Sequence, residues 1–112
     1  MNAFHRLLKY KGNLSEQLSQ CYRRETDAEI KAALVEILWR RGRDAGALDL
    51  LSQAVKEEAP VIWKAAVDGL VSIGDYKALN ILRRMKLESY ANPTKHEWIL
   101  EAIEQIESNE GT

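Results

Sequence analysis

The side chains that could carry chemistry are few and far apart. His5 and His96 lie at opposite ends of the chain, and neither has a second histidine, a cysteine or a paired carboxylate at metal-ligand spacing. Both are read as solvent-facing or helix-capping residues. Cys21 is the only cysteine, which rules out an intrachain disulfide and a cysteine-based zinc site and implies a reducing compartment. With no histidine motif beside it, Cys21 reads as a small core residue of a helix. The sequence holds no glycine-rich phosphate loop, His-Glu-x-x-His, Gly-x-Ser-x-Gly or paired-cysteine motif. The expectation is a chain that is not an enzyme and that binds no cofactor and no metal.

Charged and aromatic clusters suit binding better than catalysis. Trp39, Arg40, Arg41 and Arg43 form the densest basic group, and an arginine fork beside an indole can grip a phosphate and stack a base. The competing reading is preferred: cations at a helix C-terminus, where the macrodipole favours them. Arg83 and Arg84 invite the same reading. Glu97, Glu101, Glu104, Glu107 and Glu110 give the last helix an acidic flank, either a solvated end or a docking surface for a basic partner. Trp63 has Lys31 as its counterpart one repeat earlier, which predicts a partly exposed indole, a favoured hot-spot type at interfaces. Trp39 and Trp98 are expected at junctions between repeats.

Net charge is -1, with no bulk basicity pointing to nucleic acid or a membrane surface. The charge is unevenly placed, with a balance of +4 over 1–43 and -5 over 44–112. Such a field steers partners more than it shapes the fold. No apolar run approaches the length of a membrane span, and the opening residues lack a signal-peptide core, so a cytoplasmic location is expected.

The elements that must position these residues are all helical. Ile30, Ala33, Leu34, Ile37 and Leu38 follow helical spacing, as do Ile62, Ala66, Gly69, Leu70 and Ile73, and Ile99, Ala102, Ile103 and Ile106. No stretch alternates in the manner of a strand. Asn13 with Glu16, Thr26 with Glu29, and Thr94 with Glu97 have capping-box spacing. Asp44 and Asp75 suit N-caps, Pro60 a first turn, and Gly42 and Gly74 helix ends. The pattern predicts seven helices, near 3–11, 14–25, 27–41, 45–58, 60–73, 76–88 and 95–108.

Shifting the chain against itself by 32 residues pairs Ile30 with Ile62, Ala33 with Ala65, Val35 with Val67, Leu38 with Leu70 and Gly42 with Gly74. A shift of 31 then pairs Asp44 with Asp75, Ala47 with Ala78, Leu48 with Leu79 and Leu51 with Leu82. A degenerate third copy sets Trp98, Ala102, Ile103 and Ile106 against Ile62, Ala66, Val67 and Leu70. Repeats of this length bury their apolar faces by stacking on one another. The expected organisation is one domain over 1–112, with units at 14–26 (partial), 27–58, 59–92 and 93–108 (partial).

The segment from Pro60 to Asp75, with Ile62-Trp63-Lys64-Ala65-Ala66 and a Gly74-Asp75 turn, resembles the short HEAT-like repeats of the phycobilisome-lyase type. Asp27 to Leu51 resembles them more loosely. Trp63 stands where that family commonly has arginine, and the third copy lacks a Gly-Asp turn. The resemblance implies an all-α, α–α superhelix, a HEAT-like solenoid with first helices on the convex side and second helices on a concave, binding side. It implies a non-catalytic protein-binding module. Analogy of fold and size suggests an immunity protein that occludes a bacterial toxin domain. Asp49, Gln53, Lys56, Asn80 and Arg83, with the Glu97, Glu101 and Glu104 flank and Trp63, are the expected contacts, and a basic toxin domain is the expected partner. An adaptor or assembly chaperone, and a nucleic-acid-binding repeat protein using Trp39, Arg40, Arg41 and Arg43, are the alternatives.

Overall fold

A computed structural model describes residues 14–41 and 45–110, with side chains over 16–40 and 46–109. The described residues form six helices: α1 (Leu14–Arg24), α2 (Ala28–Arg41), α3 (Ala45–Ala54), α4 (Pro60–Ile73), α5 (Tyr76–Glu88) and α6 (Pro93–Glu110). The expected helix near 3–11, His5, the caps at Asn13, Gly42 and Asp44, and the side chains of Arg41 and Arg43 lie outside the described residues.

Helix α4 shows how the sequence sets these elements. Pro60 occupies its first turn, where a missing N–H costs nothing. Ile62, Trp63, Ala66, Val67 and Leu70 then recur on one buried face. Gly74 ends the helix at φ 63°, a left-handed conformation cheap only for glycine, and its N–H donates to Leu70 O at 2.9 Å. Asp75 starts α5 by accepting from Ala78 N at 2.9 Å. Two residues therefore close one helix and open the next.

Two other helix starts differ from expectation. Thr26 and Glu29 do not cap α2; Asp27 does, its Oδ1 accepting from Glu29 N at 2.9 Å and Ile30 N at 3.2 Å. Asn92, not Thr94, caps α6, accepting from Lys95 N at 3.2 Å, with Pro93 in the first turn. In both cases a short amide or carboxylate side chain nearer the proline or loop reaches the free amides first. Helix α3 stops at Ala54, short of the expected 58. Lys56 and Glu57 donate to Gln53 O and Ala54 O, tightening the last turn, and Glu57 is drawn into bonds with other helices.

The helices form two layers. Helices α2, α4 and α6 lie side by side in one, with α4 in the middle; α1, α3 and α5 form the other. The molecule's shortest principal dimension, 17 Å, fits a two-layer slab. The core lies between the layers, built from Leu18, Leu34, Leu38, Leu51, Leu70, Leu82, Ile99 and Ile106, among others. Within the first layer α2 and α4 meet closely at Gly69 of α4, whose bare backbone faces the Trp39 ring of α2.

Trp63 corrects the expectation of a partly exposed indole: it is 1% exposed and lies in the core. Its counterpart one repeat earlier, Lys31, explains why the sequence misled. Lys31 of α2, and Lys95 of α6, whose Nζ lies 5.8 Å from the Trp63 ring centroid, both bury their stems. Lys31 Nζ bonds Glu57 Oε2 at 2.7 Å, while Lys95, 7% exposed, donates to Glu57 O at 3.2 Å. A lysine at this position does not mean an open surface, because the head is carried to a partner while the stem packs.

Glu57 ties distant helices together. Its Oε2 also accepts from Tyr22 Oη at 2.5 Å, so one loop residue holds α1, α2 and, through its carbonyl, α6. The Lys31 hydrogen bond, then that from Tyr22, holds its carboxyl below the ordinary glutamate range. Burial first, then the Glu57 bond, pushes the Tyr22 phenol well above its usual value. For a depressed carboxylate, the stabilising term is present above the unfolded pKa and lost as pH falls through the folded one. Glu57→Gln is therefore expected to cost about 1–2 kcal/mol at pH 7. That gap from wild type should shrink as pH drops from about 5 towards 3, since the unfolded glutamate titrates near 4.3. Urea unfolding of both proteins across that range checks it; a constant gap would contradict the assignment.

Candidate protein-binding surface

Each layer presents an outer face. On the first layer, a groove of about 470 Å³ crosses all three helices. Glu36, Trp39 and Arg40 of α2 form one wall, and Trp98, Glu101 and Gln105 of α6 form the other. Val67, Asp68, Val71 and Ser72 of α4 form its floor. Gly69 sets the groove's shape by letting α2 lie close enough for Trp39 to pack on α4. Across α4, the buried Trp63 meets Trp98 edge-on, centroids 5.7 Å apart at 85°. Lys64 Nζ lies 5.1 Å from the Trp98 ring centroid. The indoles expected at repeat junctions are thus half-buried junction residues that also form groove walls.

Electrostatically the groove is acidic. Arg40 Nη2 is 3.4 Å from Glu36 Oε1, an exposed pair of little energetic weight. Asp68 is raised above the usual aspartate range, mainly by partial burial and then by the Glu36 carboxylate.

The second layer carries smaller depressions. Asp49 and Gln53 of α3 line one of about 380 Å³, opposite Gln20 and Arg23 of α1. Lys56 and Asn80 line another of about 120 Å³ with Arg84. Arg83 stands apart from both, paired with Glu107 at 2.6 Å. Glu97, Glu101 and Glu104 are all exposed on α6, but only Glu101 reaches the first-layer groove. The expected site residues thus divide among several places, and the groove of about 470 Å³ lies on the layer opposite to the expected binding side.

Glu36 and Asp68 were not among the expected contacts. Their spacing of 32 residues was a usable signal, because it places a carboxylate at the same register of successive first-layer helices. Arg40, for which a helix C-terminal role is preferred over phosphate binding, borders these carboxylates.

The family model described as HEAT repeats matches residues 15–105. The chain belongs to the HEAT-repeat family. No curated protein and no solved structure matches it. HEAT-repeat stacks are protein-interaction modules that present extended surfaces along successive units. In this HEAT-repeat protein, no three of His, Cys, Asp and Glu among the described residues converge on a metal position. His96 Nδ1 lies 2.9 Å from Ser89 Oγ, and its ring stacks on Tyr90 at 4.5 Å, pinning the α5–α6 turn. Cys21 is half-buried against the core. Among the described residues, no helix is long and apolar enough to cross a membrane.

Proposed function

We propose that this chain is a non-catalytic protein-binding module and, in its specific form, a cytoplasmic immunity protein that binds and occludes a bacterial toxin domain. The observation that supports this most is a groove running across three helices of a repeat stack, with a net acidic lining. Such a lining suits a basic partner, and toxin nucleases are basic by the demands of their substrate. Exposed Glu97 and Glu104 extend the acidic surface along α6. Asp49, Gln53, Lys56 and Asn80 offer a secondary contact on the other layer.

Co-expression with each protein encoded beside its gene, assayed for toxicity on its own, tests this. The expected result is rescue of growth together with a stoichiometric complex that survives gel filtration. A stable complex in which the partner keeps its full activity would make the chain an adaptor. No complex with any neighbouring gene product would remove the immunity reading.

A further inference from the structure

We infer that the first-layer groove binds an arginine side chain of the partner protein, with Asp68 and Glu101 taking the guanidinium and Trp39 and Trp98 flanking it. This rests on the protein-binding reading and adds the chemistry of what enters the groove. Glu36, Asp68 and Glu101 line it against one cation, Arg40. Arg40 is matched to Glu36, and neither Asp68 nor Glu101 forms an ion pair among the described residues. Two uncompensated carboxylates on the floor and far wall of one groove favour an incoming cation. Its arrival would relieve the repulsion that Asp68 feels from Glu36.

The chain's own side chains illustrate the recognition. Arg40 Cζ lies 5.1 Å from the Trp39 ring centroid while its Nη2 faces Glu36, a guanidinium held between an indole and a carboxylate. Arginine fits better than lysine because its planar fork can meet two carboxylates while a face lies on an indole, and it is less strongly hydrated. A groove of about 470 Å³ has room for such a side chain and the backbone that presents it. The same lining repels phosphates, which sets this inference against nucleic acid.

The test is a titration of the ¹⁵N-labelled full chain with a capped Gly-Arg-Gly peptide. The Trp39 and Trp98 indole N–H resonances should shift saturably, and the buried Trp63 indole should not. The uncharged citrulline analogue should leave all three in place. The double variant Asp68→Asn/Glu101→Gln, with helical circular dichroism intact, should weaken binding at least about tenfold. No saturable shift, equal shifts with citrulline, wild-type affinity in the double variant, or stronger shifts from a single-stranded oligonucleotide would each overturn the inference. Failure here is separable from failure of the module reading. A toxin complex held equally well by the double variant sinks the arginine site alone. Saturable arginine binding without any complex sinks the immunity reading alone.

Discussion

Trp63→Ala is expected to destabilise the chain by about 3–5 kcal/mol, the range for deleting a buried aromatic and leaving a partly collapsed cavity. Trp63 is 1% exposed, at the start of the central first-layer helix, and its ring meets Trp98 edge-on. Lys95 Nζ lies 5.8 Å from the ring centroid, so the cavity would also strip packing from a buried cation. A domain of this size has only about 5–15 kcal/mol to lose. Trp63→Phe should cost much less, about 1–2 kcal/mol, for a specific reason. The Trp63 indole N–H is buried and meets no acceptor among the described residues, so phenylalanine removes an unsatisfied donor along with the volume. Urea unfolding of the three proteins separates the cases. Nearly equal losses for alanine and phenylalanine would mean that the core does not depend on the filled volume.

Gly69→Val should cost about 3 kcal/mol, at the upper end of overpacking losses. A Cβ at Gly69 would stand 2.6 Å from Trp39 Cδ1, 2.9 Å from Trp39 Cγ and 2.9 Å from Leu51 Cδ2. Leu51 can move its terminal methyl, but Trp39 Cγ is the root of a rigid ring. Gly69→Ala is milder, because helix propensity returns about 1 kcal/mol against the clash. The coupling is the sharper readout. In a Trp39→Ala background, Gly69→Ala should become neutral or stabilising, since only the movable leucine methyl remains. Purely additive losses would show that the helices are not spaced by this contact. Because Trp39 also walls the groove, Gly69→Ala should disturb partner binding as well as stability.

Much of this architecture was legible in the sequence, and particular residues show why. The stripe on α4, the proline in its first turn and the Gly74-Asp75 junction are local patterns, and each maps onto a hydrogen bond or conformation that is present. The caps of α2 and α6 slipped because spacing alone does not say which of several neighbouring polar side chains reaches a free amide; Asp27 and Asn92 prevailed over Thr26 and Thr94. Trp63 was misjudged because a lysine at the matching position looked like exposure, whereas its ammonium is delivered to Glu57. The groove itself depends on which helices lie side by side. Glu36, Asp68 and Glu101 belong to three helices that meet only through stacking, so no single amphipathic pattern draws them together. The second-layer contacts were chosen from the family's usual curvature, a property of how units lean and not of any one residue.

Glu57 bears on how the molecule comes apart. Arrays whose units touch only their neighbours tend to fray from the ends, each end melting on its own. Here a loop in mid-chain anchors the tyrosine of α1 by its side chain and the lysine of α6 by its carbonyl. Among the described helices, α1 and α6 can each detach only by abandoning a bond to this loop. Loosening at α1 is thereby felt at the loop that holds α6, so the two ends of the described stack are coupled through its middle.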